Sequence, residues 1–183
     1  MKVLVAYASR HGATEGIAER IAGTLQRHGL DVTIAPAANA DGVSDYDAFV
    51  IGSAAYAFHW LKDASRFVRR HEQVLASRPV WLFSSGPLGP DKVDEQGRDA
   101  REAAQPREFA EFGRTITPRD HRVFFGAYDP AAEPVGFMEK VMHAIPAARD
   151  AMPGGDFRDW ADVDAWAEGI AQALTAVPAT GSR

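Results

Sequence analysis

Five short apolar runs, separated by stretches of a different periodicity, constrain this chain more than any other feature. They are KVLVAY (2–7), DVTIAP (31–36), DAFVIG (47–52), PVWLFS (79–84) and HRVFFGA (121–127). Short runs rich in Val, Ile and aromatic residues read as strands. Residues 14–28 read as a helix with Ile17, Ile21 and Leu25 on one face, Glu15 and Glu19 near its start, and Arg27 and His28 near its end. Gly29 stands where a C-terminal cap belongs. A second helix is predicted over 61–76 with Leu61, Phe67, Val68 and Leu75, and a last one over 159–175 with Val163, Trp166, Ile170 and Leu174. Strands alternating with helices predict a parallel sheet covered on both faces. Five of them predict a doubly wound α/β sheet of order 2-1-3-4-5, with ligands at the carboxyl ends of the strands.

The chain has 183 residues, 46% of them apolar, enough for one core. We expect a single domain over 1–175 and a frayed tail over 176–183. A net charge of −5 argues against nucleic-acid binding, which needs a broad basic surface. No apolar run reaches the length of a membrane span. The start, MKVLVAYAS, reads as a first strand and not a secretion signal, so a cytoplasmic location is expected. Cysteine is absent. That excludes thiolate nucleophiles and cysteine-held metals, so redox chemistry has to come from a bound cofactor. His28, His71, His121 and His143 show no metal-ligand spacing. The segment 86–118 is charge-dense and reads as a loop followed by one surface helix near 105–115. Its part over 90–108 reads as a solvated surface, with gating of a bound ring or docking of a redox partner as the sharper reading. Residues 134–146 (PVGFMEKVMHAIP) predict a helix with Val135, Met138, Val141, Met142 and Ile145 in one stripe. That stripe packs on the sheet or forms a dimer contact, with shallow association at the inner face of a membrane as the alternative.

The joint between the first strand and helix carries Ser9, Arg10, His11, Gly12 and Thr14. A helix N-terminus offers unpaired N–H groups and partial positive charge, which suits a phosphate. The Ser9 and Thr14 hydroxyls add donors, and Gly12 lets the backbone close round an anion. The plainer alternative is an ordinary turn capped by Ser9 or Thr14. Two more loops emerge at the same sheet edge. GSAAYAFHW (52–60) offers Tyr56, Phe58, His59 and Trp60, and SSGPLG (84–89) offers small residues and backbone amides. A planar ring fits between them, although packing on the 61–76 helix is the competing use for Trp60 or Phe58. Charged hydrogen bonds contribute about 1.5–3 kcal/mol each, so phosphate contacts alone fall short of the roughly 12 kcal/mol that nanomolar retention needs. Ring burial has to supply the rest.

YASRHGAT resembles the phosphate-loop signature of flavodoxins, aromatic-small-Ser-x-x-Gly-x-Thr. FVRRHEQVLASRPVWLFSSG, FFGAYDP…FMEKVM and DFRDWADVDAWAEGIAQAL resemble one branch of that family, the flavodoxin-type protoporphyrinogen IX oxidase, a quinone-linked dehydrogenase of haem synthesis. The resemblance implies a flavodoxin-like fold and an FMN cofactor. It implies phosphate contacts from Ser9, Arg10, His11, Gly12, Ala13 and Thr14. It implies ring contacts from Ser53, Ala54, Ala55, Tyr56, Ala57 and Phe58, and from Ser84, Ser85, Gly86, Pro87, Leu88 and Gly89. The 52–60 loop is about one residue short of that branch and lacks its basic residue. The 134–146 stretch carries only Lys140 as a fixed positive charge, where the quinone-linked enzymes carry more.

Arg10, His11 and His59 lie near the expected ring, and positive neighbours stabilise an anionic reduced flavin. The expected potential is therefore above that of carrier flavodoxins, which surround the ring with negative charge. His59 is the candidate catalytic residue, as a proton shuttle; a structural histidine among aromatics is the alternative. The expectation is an FMN-dependent oxidoreductase that passes electrons to a redox partner or quinone-type acceptor. Its rivals are a non-enzymatic electron carrier and a flavin-free binding module.

Overall fold

The computed structural model describes residues 1–89, 91–93, 97–129, 131 and 154–176. The helix expected over 134–146, and nearly all of the 176–183 tail, lie outside them. Five parallel strands form the sheet: β1 (Lys2–Ala8), β2 (Asp31–Pro36), β3 (Ala48–Tyr56), β5 (Val80–Ser85) and β6 (Asp120–Phe124). Their order is β2-β1-β3-β5-β6, and the short β4 (His59–Trp60) folds back antiparallel on β3. Leaving out β4, this is the 2-1-3-4-5 order read from the sequence.

Alternation along β1 builds both layers. Val3, Val5 and Tyr7 face α1 (Ala13–Arg27) and α6 (Trp160–Thr175), whereas Leu4, Ala6 and Ala8 face the opposite core. Helix α1 buries Ile17, Ile21 and Leu25 completely. It ends with Gly29 at φ +78°, with bonds from Gly29 N to Gln26 O (2.9 Å) and Leu30 N to Leu25 O (3.3 Å), the Schellman arrangement. Helix α6 starts at Asp159, whose carboxylate accepts from Ala161 N and Asp162 N. Val163, Trp166, Ile170 and Leu174 are all buried as expected.

Three sequence expectations need correction, and β2 adds one detail. The helix over 61–76 is two, α2 (Lys62–Arg70) and α3 (Glu72–Ala76), divided at His71, where φ is −110°. The His71 ring leans on Phe67 at 4.9 Å between centroids. The last strand stops at Phe124, because Gly86 N bonds to Phe124 O and Gly126 N to Pro87 O, drawing the chain toward the third loop. It then pairs as β7 (Ala127–Tyr128) with β8 (Gly155–Asp156). In β2, an edge strand, Val32 packs on the core while Ile34 is exposed. The surface helix near 105–115 proves to cover the core. After the short α4 (Ala100–Ala103), α5 (Arg107–Thr115) buries Phe109 and Phe112, followed by buried Ile116. Spacing of three and four residues gives this segment an inward face despite its charge.

Gly52 permits the closest approach in the sheet. It sits opposite Phe83 in the β3–β5 register, and a Cβ there would lie 2.0–2.3 Å from three atoms of the Phe83 ring. That ring is fully buried and held by Phe124 and Trp166. Gly52→Ala should therefore cost about 3 kcal/mol through overpacking, read as a lower urea midpoint. An unchanged midpoint would show that the ring can yield.

Candidate functional site

At the carboxyl ends of β1, β3 and β5 three segments converge. The first runs from Ser9 to the start of α1. Gly12 is the residue before the helix, at φ +80°, ψ −11°, a left-handed conformation that glycine adopts without steric cost. Neither hydroxyl caps the helix. Ser9 Oγ accepts from Gly12 N at 3.1 Å, and Thr14 Oγ1 bonds to Ser85 Oγ at 2.7 Å in a buried contact. The first intrahelical bond runs from Gly16 N to Gly12 O. Among the described residues, the N–H groups of Ala13, Thr14 and Glu15 begin the helix with no side-chain cap. An ordinary side-chain cap would have taken one of those donors, so the arrangement fits an anion.

The flanking charges are held in place. Tyr7 donates its phenol proton to Glu15 Oε1, and burial, with Glu15 second, pushes the phenol up to about 12. Tyr7 therefore stays neutral beside the loop. The Arg10 guanidinium stacks 4.5 Å from the Tyr56 ring centroid, joining the first segment to the second. Sequence reading missed Arg158. Its Nη1 reaches Ala13 O at 3.3 Å, its guanidinium lies 4.5 Å from the Trp160 ring centroid, and it pairs with Asp156. Nothing local in DFRDW signals that contact, which spans 145 residues.

The second segment is a hairpin and not an open loop. Ser53, Ala54, Ala55 and Tyr56 belong to β3, and Ala55 and Tyr56 pair with Trp60 and His59. The two turn residues, Ala57 and Phe58, have φ of 48° and 64°. Trp60 is buried against Phe109 and Phe112 of α5, at 5.8 and 5.7 Å between centroids, in the same core cluster as Ala64, Phe67 and Val68 of α2. Phe58 and Tyr56 instead stand 53% and 38% exposed at the strand ends. His59 is half-exposed, with Nδ1 at 3.2 Å from Oε1 of buried Glu108.

Ser84, Ser85, Gly86, Pro87, Leu88 and Gly89 form the third segment. Ser53 and Ser84 are fully buried and their hydroxyls are committed to the frame: Ser53 Oγ accepts from Leu61 N, and Ser84 Oγ donates to Ser53 O. Gly86 and Pro87 are tied to Phe124 and Gly126 by the two backbone bonds described above. Gly89 turns at φ +108°. Behind this segment lies a cavity of about 410 Å³ lined by Gly89, Lys92, Arg101, Phe125, Arg158 and Trp160. Its two arginines are neutralised by Asp99, Asp162 and Asp156.

Two adjacent non-glycine residues at positive φ are a stored cost of about 1–2 kcal/mol each. Ala57→Gly should raise stability by about 1 kcal/mol in chemical denaturation. A fall in stability would show that the Ala57 side chain contributes more than its backbone costs.

The model of the flavodoxin domain family matches residues 4–146 of the chain. Solved structures of similar fold include a flavodoxin from the domain Archaea, 17% identical over 95% of this chain and 99% of that one, with TM-score 0.55. A cysteine-to-serine variant of flavodoxin from Pseudomonas aeruginosa is 15% identical, covering 96% of this chain and all 100% of that one, with TM-score 0.60. Rubredoxin oxygen:oxidoreductase from Desulfovibrio gigas is 16% identical over 96% of this chain, which spans only 36% of that larger protein, with TM-score 0.58. At these identities the structures establish the fold, and the family match extends it to kinship: the chain belongs to the flavodoxin family, whose cofactor is FMN.

Proposed function

We propose that this chain holds FMN across its three segments and acts as an oxidoreductase that exchanges two electrons with a small organic acceptor of the quinone class. The observation that carries the cofactor assignment is the uncapped first turn of α1 joined to the third segment through Thr14 and Ser85. The backbone from Gly12 to Glu15 would hold the phosphate, with Ser9, Arg10 and His11 beside it. Tyr56 and Phe58 would cover one side of the ring, and the Ser85–Gly89 backbone would border the other. When bound, FMN supplies the electron-transfer chemistry. The protein orients it, excludes water from it and sets its potential.

What favours two-electron work over simple carriage is the composition of the rim. Arg10, His11 and His59 stand at or beside the segments, and the Glu15 carboxylate is engaged by Tyr7. The finer reading, a protoporphyrinogen dehydrogenase-like activity with a membrane quinone as acceptor, is supported by the sequence resemblance alone. The second reading is a one-electron carrier, favoured by the flavodoxin structures to which the fold is similar. No helix among the described residues is long and apolar enough to cross a membrane.

Two measurements test this. Fluorescence titration should show tight FMN binding, weakened about tenfold in Thr14→Val and retained in Thr14→Ser, since a lost buried hydrogen bond costs about 1–3 kcal/mol. Equal affinity in all three proteins would mean that the Thr14–Ser85 contact does not shape the site. Potentiometry of the loaded protein should then give a potential above that of carrier flavodoxins, with the two electrons taken up together. A low potential with a stable half-reduced form would favour the carrier.

A further inference from the structure

The His59–Glu108 contact is not used by the flavin-holding arrangement described above. Glu108 is the second residue of α5, and its side chain is only 7% exposed between the hairpin and the aromatic core. One oxygen meets His59 Nδ1 at 3.2 Å, and the other is buried with no hydrogen-bond partner among the described residues. Burying a carboxylate so sparsely partnered is expensive, and an apolar residue beside Phe109 and Phe112 would serve packing better. A negative charge in the first turn of α5 favours the helix dipole, but a solvent-facing glutamate would do that at no desolvation cost. Arg69 is a nearby cation. Its guanidinium is engaged by both oxygens of Glu111, and the Glu108 charge adds only a lesser contribution to holding it protonated.

We propose that Glu108 is a positioning residue that fixes the orientation and tautomer of His59, so that Nε2 is the proton-accepting atom at the ring edge. The inference rests on the functional reading above and assigns the proton path within it. An ionised carboxylate can only accept, so Nδ1 carries the proton in this contact and the lone pair is left on Nε2. Because Nδ1 turns inward to Glu108 on a half-exposed side chain, Nε2 turns outward. His59 is the direct register partner of Tyr56, and partners in such a pair project on one side of the ribbon. Tyr56 in turn carries the Arg10 guanidinium. Nε2 thus stands beside the row that borders the proposed flavin site. The bond from Arg107 N to Phe58 O ties the start of α5 to the hairpin tip, so the carboxylate and imidazole keep their relative position. The pair moves a proton only. An N–H bond forms at Nε2 as the donor's bond to that proton breaks, Nδ1–H stays on the carboxylate, and no electron passes through either side chain. In the reverse direction the same atom returns the proton.

The experiment uses the full chain, with and without FMN, labelled with nitrogen-15. Long-range proton–nitrogen correlation spectra read the neutral His59 ring, assigned by comparison with His59→Asn. The expected result is Nδ1–H in the unsubstituted protein, shifting toward the Nε2–H form in Glu108→Leu, which removes the acceptor, and less in Glu108→Gln, whose amide oxygen still accepts. Reoxidation of the reduced, loaded protein gives the second readout. Menadione, which takes up two electrons and two protons, should react about tenfold more slowly or worse in Glu108→Leu and His59→Asn. Ferricyanide, a one-electron oxidant that takes no proton, should react at an unchanged rate. An Nε2–H ring in the unsubstituted protein, or an undiminished menadione rate in Glu108→Leu, overturns the proposal. Failure to bind FMN would instead defeat the functional reading, while the tautomer would still be readable in the free protein.

Discussion

The structure turns on the N-terminus of α1, which among the described residues has no side-chain cap, at the carboxyl end of the central strand pair. Ser9 bonds to Gly12 N, Thr14 is drawn away to Ser85, and Gly12 takes the left-handed conformation that opens the turn. Each of these choices leaves the first N–H groups of α1 unspent. A helix end in this state is stabilised by an anion. The Thr14–Ser85 bond makes the phosphate cradle and the third segment one unit, so the two ends of an elongated ligand would be bound by mechanically coupled parts.

The rest of the fold holds that geometry. Arg158 reaches from the segment before α6 to Ala13 O, and the bidentate Arg20–Asp164 pair fastens α6 alongside α1. On the other layer, Trp60 and the Arg107–Phe58 bond seat the hairpin on α5. The exposed Tyr56 and Phe58 are thus presented by buried anchors, which is how a loop residue gains a fixed position without being buried itself. Strain at Ala57 and Phe58 persists because both flanks of the turn are held.

How far the sequence disclosed this depended on the range of the interactions. The parallel sheet and its order were legible because Val3, Val5, Leu4 and Ala6 sit in an unbroken apolar run that only a doubly covered strand requires. The Ser9–Thr14 joint was legible because helix-terminus chemistry is local. The hairpin was not, since Ala-Phe carries none of the glycine or asparagine that normally marks two consecutive positive φ values. Helix α5 was placed but misread, because Phe109, Phe112 and Ile116 lie among charges and their partner Trp60 is some fifty residues away in sequence. Glu108 looked like one more surface acid until its burial was known. Gly52 gave no warning either: its need arises from the Phe83 ring on a neighbouring strand.

Affinity for FMN compared with riboflavin tests the central claim most directly, because the two differ only in the phosphate. If the uncapped start of α1 is the anchor, riboflavin should bind at least about a thousandfold more weakly, a loss of roughly 4 kcal/mol. Equal affinities would contradict the account and return the opening of α1 to the status of an ordinary turn.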